Sequence, residues 1–308
     1  MKSSVYHGLL VIDKPSGMTS RDVVNRIQTW FPRGTRIGHT GTLDPLATGV
    51  LVICVGTATR LSEYVQRMGK TYRARLLLGA TSTTDDADGT IQSTVVKELP
   101  DQEHVAEIFQ GFIGEIDQVP PAFSAVKVTG RRAHDLARGG EEFVLKARRV
   151  TIYRIDILAY QYPQLAIEVQ CGKGTYIRSL ARDLGKRLGC GALVQELRRT
   201  RVGPFTDASD LRLGDTAERA RTSLLPVAAA VSELPQVQLD ADIARRLRHG
   251  QTVSYPHPLD TSLQKLVEPE VAVFDRIMNL VGVATLNAQG TLVPLKVLAE
   301  QTADFVAE

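Results

Sequence analysis

Apolar residues recur in two rhythms along this chain, and the rhythm switches too irregularly for a repeat protein or a regular succession of βαβ units. Val23, Val24, Ile27, Trp30 and Phe31 fall on one face of a helical period. Thr19 or Ser20 stands where that helix needs an N-cap, and Pro32 and Gly34 stop it. Lys70–Leu78 alternates instead, with Tyr72, Ala74, Leu76 and Leu78 on one side of a strand. Residues 101–112 return to the helical period. Leu165, Ile167, Val169 and Cys171 alternate again and run into Gly172-Lys173-Gly174-Thr175. Thr175 can then cap a helix through Ile177, Leu180, Ala181, Leu184 and Leu188. Strands that no regular helix separates predict an α+β protein with a mixed, largely antiparallel sheet.

The pattern changes near residues 226–236, where Leu225-Pro226 and Leu234-Pro235 flank an alanine-rich stretch. A short helical pattern over 240–249 and short strands over 271–274, 280–286 and 292–298 follow. This predicts a main domain over 1–232 and a small β-barrel domain over 233–308, too short for most enzymes and suited to an accessory binding role.

Composition narrows the classes. The 308 residues are 43% hydrophobic, enough for a proper core. Leu9-Leu10-Val11-Ile12 is too short for a signal-peptide core or a membrane span. Cys54, Cys171 and Cys190 are odd in number and far apart, which predicts reduced thiols in a cytoplasmic protein. Net charge is only +3, yet eight Lys or Arg between Lys173 and Arg201 face only Asp183 and Glu196. A second basic group comprises Arg131, Arg132, Arg138, Lys146, Arg148, Arg149 and Arg154. Two basic segments in a nearly neutral chain fit a local polyanion-binding face, or simply solvated basic surfaces.

Several chemistries lack their residues. No HExxH occurs and the six histidines are scattered. Gly172-Lys173 is followed by glycine where a phosphate loop needs Ser or Thr, and no GxGxxG follows a strand. Asp85, Asp86 and Asp88 before Gly89 resemble a calcium loop without its remaining ligands, which reads as a surface turn. No metal or cofactor is expected.

One carboxylate is set apart. Gly38-His39-Thr40-Gly41-Thr42-Leu43-Asp44-Pro45-Leu46-Ala47-Thr48-Gly49 holds Asp44 between glycines and directly before a proline. Pro45 steers Asp44 away from the helical region, so it should lie on a rigid loop. Such a carboxylate can serve as nucleophile or base, and Asp-Pro is also an ordinary turn dipeptide.

This segment closely resembles the catalytic motif of the TruB family of tRNA pseudouridine synthases. Five more blocks resemble that family in order: Asp13-Lys14-Pro15-Ser16-Gly17-Met18-Thr19-Ser20, Lys70-Thr71-Tyr72-Arg73-Ala74, Pro120-Pro121-Ala122-Phe123-Ser124-Ala125-Val126-Lys127, Gly174-Thr175-Tyr176-Ile177-Arg178-Ser179-Leu180 and Leu197-Arg198-Arg199-Thr200. They span about residues 8 to 205, and the tail resembles the family's PUA-type RNA-binding domain less closely.

The resemblance implies isomerisation of uridine 55 in the T loop of tRNA, without cofactor, on a base flipped out of its stack. It implies Asp44 as the essential carboxylate, attacking C6 of the base or C1′ of the ribose, or abstracting a sugar proton. Tyr72 would stack on the uracil, Arg178 would pair with Asp44, Tyr176 and Leu197 would wall the pocket, and His39 would take the space the base leaves. Lys14, Arg132, His134, Lys173, Arg198 and Arg199 would contact the RNA. His134 departs from the tyrosine expected at its position, which bears on those RNA contacts and not on the chemistry. The expected partner is the T arm of tRNA, with no membrane, guide RNA or protein partner, and the protein is expected to be a monomer. A non-catalytic tRNA-folding factor and a guide-dependent synthase of the dyskerin type are the alternatives. The missing lysine-rich tail argues against the second.

Overall fold

The computed structural model describes residues 6–206, 211–256 and 267–299. The first part runs β1 (Gly8–Lys14), α1 (Ser20–Gln28), β2 (Ile37–His39), β3 (Thr48–Val55), a 3-10 turn at Gly56–Leu61, α2 (Ser62–Arg67) and β4 (Lys70–Leu78). A small ribbon of β5 (Ala80–Ser82) and β6 (Ile91–Ser93), then α3 (Gln102–Gln110) and β7 (Gly114–Gln118), lead to a second ribbon, β8 (Lys127–Val128) and β9 (Arg131–Arg132). Next come α4 (Ala133–Arg138), β10 (Arg148–Gln161), β11 (Gln164–Cys171), α5 (Ile177–Arg187), β12 (Ala192–Val202), β13 (Phe205–Thr206) and α6 (Ala217–Thr222). Beyond a 3-10 turn at Val227–Val231 lie β14 (Gln236–Leu239), α7 (Ala241–Arg248), β15 (Val253–Ser254), β16 (Glu270–Asp275), β17 (Leu280–Leu286) and β18 (Thr291–Val297).

Nine strands form the main sheet in the order β1-β3-β12-β4-β11-β10-β7, with β2 on β3 and β13 on β12. Every pairing is antiparallel except β3 with β12. The α+β class and the largely antiparallel sheet are therefore as the alternating patterns predict. A curled five-stranded half-barrel, β14-β16-β17-β18-β15, follows.

Alternation explains how the layers stack. In β3, Leu51, Ile53 and Val55 point into a core beneath α1, α3 and α5, while Val50, Val52 and Cys54 point to the opposite face. That opposite face is covered by Tyr64, Val65 and Met68 around α2, and by Ala272, Phe274, Val283 and Leu298 of the second sheet. The second sheet in turn buries Val271, Val273, Val281 and Ala284 against α7. Both sheets are thus apolar on two faces, and one core is common to them. Each large side chain buried there contributes roughly 1.5–3 kcal/mol.

Helix ends follow local chemistry. Thr19 caps α1 in a reciprocal box with Asp22, and Asp101 caps α3 through the N–H of His104. The expected cap of α5 differs: Tyr176 is the N-cap residue, and Thr175 donates its hydroxyl back to the Gly172 carbonyl. No side-chain cap bond forms at this end; Gln118 instead clamps the N-cap backbone, accepting from the Tyr176 N–H at 2.8 Å and donating to its carbonyl at 3.1 Å.

Candidate active site

A split in the main sheet creates the site. β3 pairs with β12 only at Thr48 and Gly49, and β2 takes that edge of β3 further along. The chain from His39 to Thr48 crosses the gap, carrying Asp44. Gly49 has φ +95°, and a Cβ there would lie 2.2 Å from the Arg199 carbonyl oxygen, so only glycine lets the two strands meet.

The loop is held from below by residues of the KPSGMTS segment. Ser20 accepts from the Leu43 N–H at 2.8 Å and donates to the Leu43 carbonyl at 3.1 Å. The Lys14 ammonium is buried and donates to the carbonyls of Pro15, Met18 and Pro45 at 2.8, 2.6 and 3.2 Å. The Gly17 N–H also donates to Pro45, and the Ala47 N–H closes the Asp-Pro turn onto the Asp44 carbonyl. The backbone on both sides of Asp44 is therefore tied down, and its half-buried carboxylate projects from a fixed turn.

Arg178 meets that carboxylate. On the first turn of α5, its side chain is 4% exposed, with Nη2 2.9 Å from Asp44 and Nη1 3.3 Å from Asp86. Its remaining donations go to the carbonyls of Thr84 and Phe123, both at 3.0 Å. One guanidinium thus joins the Asp44 loop, the turn at 83–89 and the segment before β8. Asp86 is itself fixed by the Thr84 hydroxyl and the Asp88 N–H. Burial pushes the Asp86 carboxyl up, while Thr84 and Arg178 hold it down. The aspartate-rich turn expected at the surface is therefore an inward-facing support for Arg178, and Asp86 went unrecognised as part of the site. The signal lay in the Thr83-Thr84 pair and Gly89 of a tight turn: Thr84 bonds the Asp86 carboxylate, Thr83 accepts from the Thr90 N–H, and a Cβ at Gly89 would collide with both hydroxyls.

Asp44 and Arg178 stand in a cleft of about 530 Å³, lined also by His39, Tyr72, Tyr176, Leu197, Lys173 and Arg199. All five residues expected around the base are thus in one cavity with Asp44. Tyr72 lies on β4 opposite Arg199 of β12, 9% exposed. Burial raises its phenol pKa, against the pull of the Arg199 charge. Burial followed by the Asp44 charge does the same to Tyr176. Burial and the cations Arg21 and Arg199 lower the His39 pKa, and its Nδ1 is buried without a partner.

The basic residues expected against RNA divide. Lys173 and Arg132 are exposed, Lys173 at the cleft. Arg198 is half-buried and pairs with Asp13 at 3.0 Å. Lys14 is wholly buried beneath the Asp44 loop, so it presents no charge to RNA. Arg199 is likewise 2% exposed, spending its guanidinium on the carbonyls of Val50 and Gly41. His134 bonds the Ser124 carbonyl through both its Nδ1 and its backbone N–H, so it anchors the loop beside Arg178. Arg148 and Arg149, members of the second basic segment, line the cleft. Among the described residues no cluster of His, Cys, Asp and Glu could hold a metal, and no helix is long and apolar enough to cross a membrane. Burial pushes the Cys54 thiol up to about 12 and that of Cys171 up to about 11.

Comparison with known proteins identifies the family. Residues 30–177 match the family described as TruB family pseudouridylate synthase, N terminal domain. Residues 178–232 match the tRNA pseudouridylate synthase B C-terminal domain, and 235–298 the C-terminal part of pseudouridine synthase II TruB. The tRNA pseudouridine synthase B of Nitrosococcus oceani is 40% identical over 304 residues, 96% of each chain. That of Dechloromonas aromatica is 44% identical over 259 residues, 81% of this chain and 84% of its own. A solved structure, a Cbf5-Nop10-Gar1 complex, superposes with a TM-score of 0.74 at 27% identity, covering 97% of this chain and 86% of the other. The protein is a member of the TruB family of pseudouridine synthases.

Proposed function

We propose that this protein isomerises uridine 55 in the T loop of tRNA to pseudouridine, acting alone and without a cofactor. The observation that carries the reading is the Asp44–Arg178 contact at 2.9 Å, set in a cleft between Tyr72 and Tyr176. The reaction breaks the bond between uracil N1 and ribose C1′, turns the base and joins C1′ to C5. The C5 proton departs and N1 gains one, so atoms balance with no outside reagent.

Each step has a group suited to it. The target uridine is stacked in its loop, and extruding it costs a few kcal/mol, recovered by contacts in the cleft. Tyr72 offers a ring for the uracil face, which tolerates rotation of the base better than in-plane hydrogen bonds would. Asp44 attacks the base or sugar from a loop that does not need to reorganise, because Ser20 and Lys14 fix its backbone. Arg178 keeps the carboxylate aimed by a charge-assisted hydrogen bond. His39 fills the space in the T loop that the base vacates, and Lys173, Arg148 and Arg149 meet phosphates around the mouth. The domains over 1–232 and 233–308 divide the work, the second adding RNA contact.

The test mixes purified protein with an unmodified tRNA transcript, with no added guide RNA or cofactor. Pseudouridine at position 55 alone supports the reading. Conversion only when a guide RNA is supplied would favour the guide-dependent alternative, and tight binding without conversion would favour a folding factor.

A further inference from the structure

Lys70 is buried at the start of β4 and lines the same cleft, and its ammonium is engaged by main-chain carbonyls at the end of α2. It donates to the carbonyls of Gln66 and Met68, each at 2.5 Å. Gln66 lies in the last turn of α2, which ends at Arg67, and Met68 is its C-cap, so neither carbonyl has a partner within the helix. A lysine at this end satisfies orphan acceptors and complements the helix dipole. Two residues along the same face of β4 stands Tyr72, and Gln66 lines the cleft. One ammonium therefore joins α2 to the strand that carries the expected stacking ring.

The other side of α2 belongs to the second sheet. Tyr64, Val65 and Met68 share a core with Ala272, Phe274, Val283 and Leu298. Around that core Arg67 pairs with Glu270 at 2.5 Å and Glu63 with Lys296 at 3.1 Å. Arg60 donates to the Val297 carbonyl. These exposed pairs fix register more than they add stability. α2 is thus a plate between the second sheet and the cleft, and the sheet is no detachable appendage. The position of Lys70 is costly. Burial and the Arg199 and Lys173 charges lower its pKa to about 8, opposed by Cys171 and Glu233. A buried cation kept among other cations argues for a task, and among the described residues the two carbonyls are the acceptors its ammonium finds.

We propose that Lys70 is a positioning residue: it locks the end of α2 to β4, so that the docking of the second sheet sets the placement of Gln66 and Tyr72 in the cleft. The proposal rests on the pseudouridine-forming reading. It makes the second sheet part of the catalytic scaffold, so its loss costs turnover as well as the tRNA affinity an accessory binding domain supplies.

The experiment measures kcat at saturating tRNA and, separately, the tRNA Kd for wild type, Lys70→Met, Lys70→Arg, Phe274→Ala and the double variant Lys70→Met/Phe274→Ala. Methionine is comparable in length and apolar, so the buried position stays filled, and melting curves establish that each variant is folded at the assay temperature. Lys70→Met is expected to lower kcat about tenfold or more, since small misplacements of a reacting geometry reach about 100-fold. Its Kd stays within about threefold of wild type, and Lys70→Arg, which restores donors and charge, recovers most of the rate. Phe274→Ala lowers kcat several-fold, and the double variant is no slower than Lys70→Met, because both act through α2. Lys70→Met with wild-type kcat, or a loss confined to Kd, overturns the role of Lys70. Losses that multiply in the double variant overturn the route through α2. A wild-type protein that forms no pseudouridine would instead sink the functional reading, a separate outcome.

Discussion

Asp86 lies 3.3 Å from Nη1 of Arg178, on the guanidinium nitrogen opposite the one that meets Asp44. The arginine is therefore held from behind by one carboxylate while it orients another. Asp86 and Arg178 are each 4% exposed, so neither has water to replace a lost partner.

Asp86→Ala is expected to lower kcat by about 10- to 100-fold while tRNA affinity changes little, because Arg178 can then swing away from Asp44. Breaking a buried pair also destabilises the fold, by about 3–5 kcal/mol. Single-turnover rates, tRNA affinity and thermal melts check this, and Asp86→Asn, which keeps an acceptor, should lose less of each.

Ser20→Ala removes both hydrogen bonds that hold Leu43, the residue before Asp44. Leaving that buried N–H and carbonyl unmatched costs about 1–3 kcal/mol. The Asp44 loop then loosens, so kcat falls with tRNA binding preserved. A thermal melt beside a turnover assay reads both effects.

Lys14 gives the account a pH dependence. Its ammonium has three N–H groups for three carbonyls, and a neutral amine has two. Burial brings its pKa down to about 8, with Asp44 pulling upward and Arg199 downward. Above pH 8 one carbonyl of the Asp44 support loses its donor, so kcat should decline there. Stability moves the other way. The unfolded lysine keeps its proton to about 10.5, so between pH 8 and 10.5 unfolding takes up a proton and this group makes the fold more stable as pH rises. Lys70, lowered to about 8 chiefly by burial, contributes in the same window. Rate and melting temperature measured from pH 7 to 10 should therefore diverge.

Tyr72→Phe should bind tRNA within about twofold of wild type and turn over more slowly, since the ring face remains and the hydroxyl is lost. A large loss of affinity would show that the hydroxyl, not the ring, makes the contact.

Much of this frame was legible in periodicity. Tyr72, Ala74, Leu76 and Leu78 face one core as their alternation predicts, and Thr19 caps α1 as its position suggests. The Asp44 loop was legible because glycines and a proline constrain backbone wherever they occur. What escaped was whether a charge is buried. Lys14, Arg199 and Asp86 look like surface charges in sequence, and their roles come from carbonyls and a guanidinium supplied by segments distant in the chain. Residue type carries no record of such partners. His134 shows the same limit, since its imidazole is turned to the Ser124 carbonyl by the fold of α4 and the ribbon before it.

The central claim is that Asp44 performs the chemistry. Asp44→Asn keeps the size of the side chain, so the loop and cleft should persist while the nucleophile or base is lost. Pseudouridine at position 55 is measured under single-turnover conditions, with unmodified tRNA and saturating wild-type or variant protein, alongside tRNA affinity. Asp44→Asn is expected to bind tRNA undiminished and to form no detectable pseudouridine. Conversion at the wild-type rate by the variant would contradict the claim.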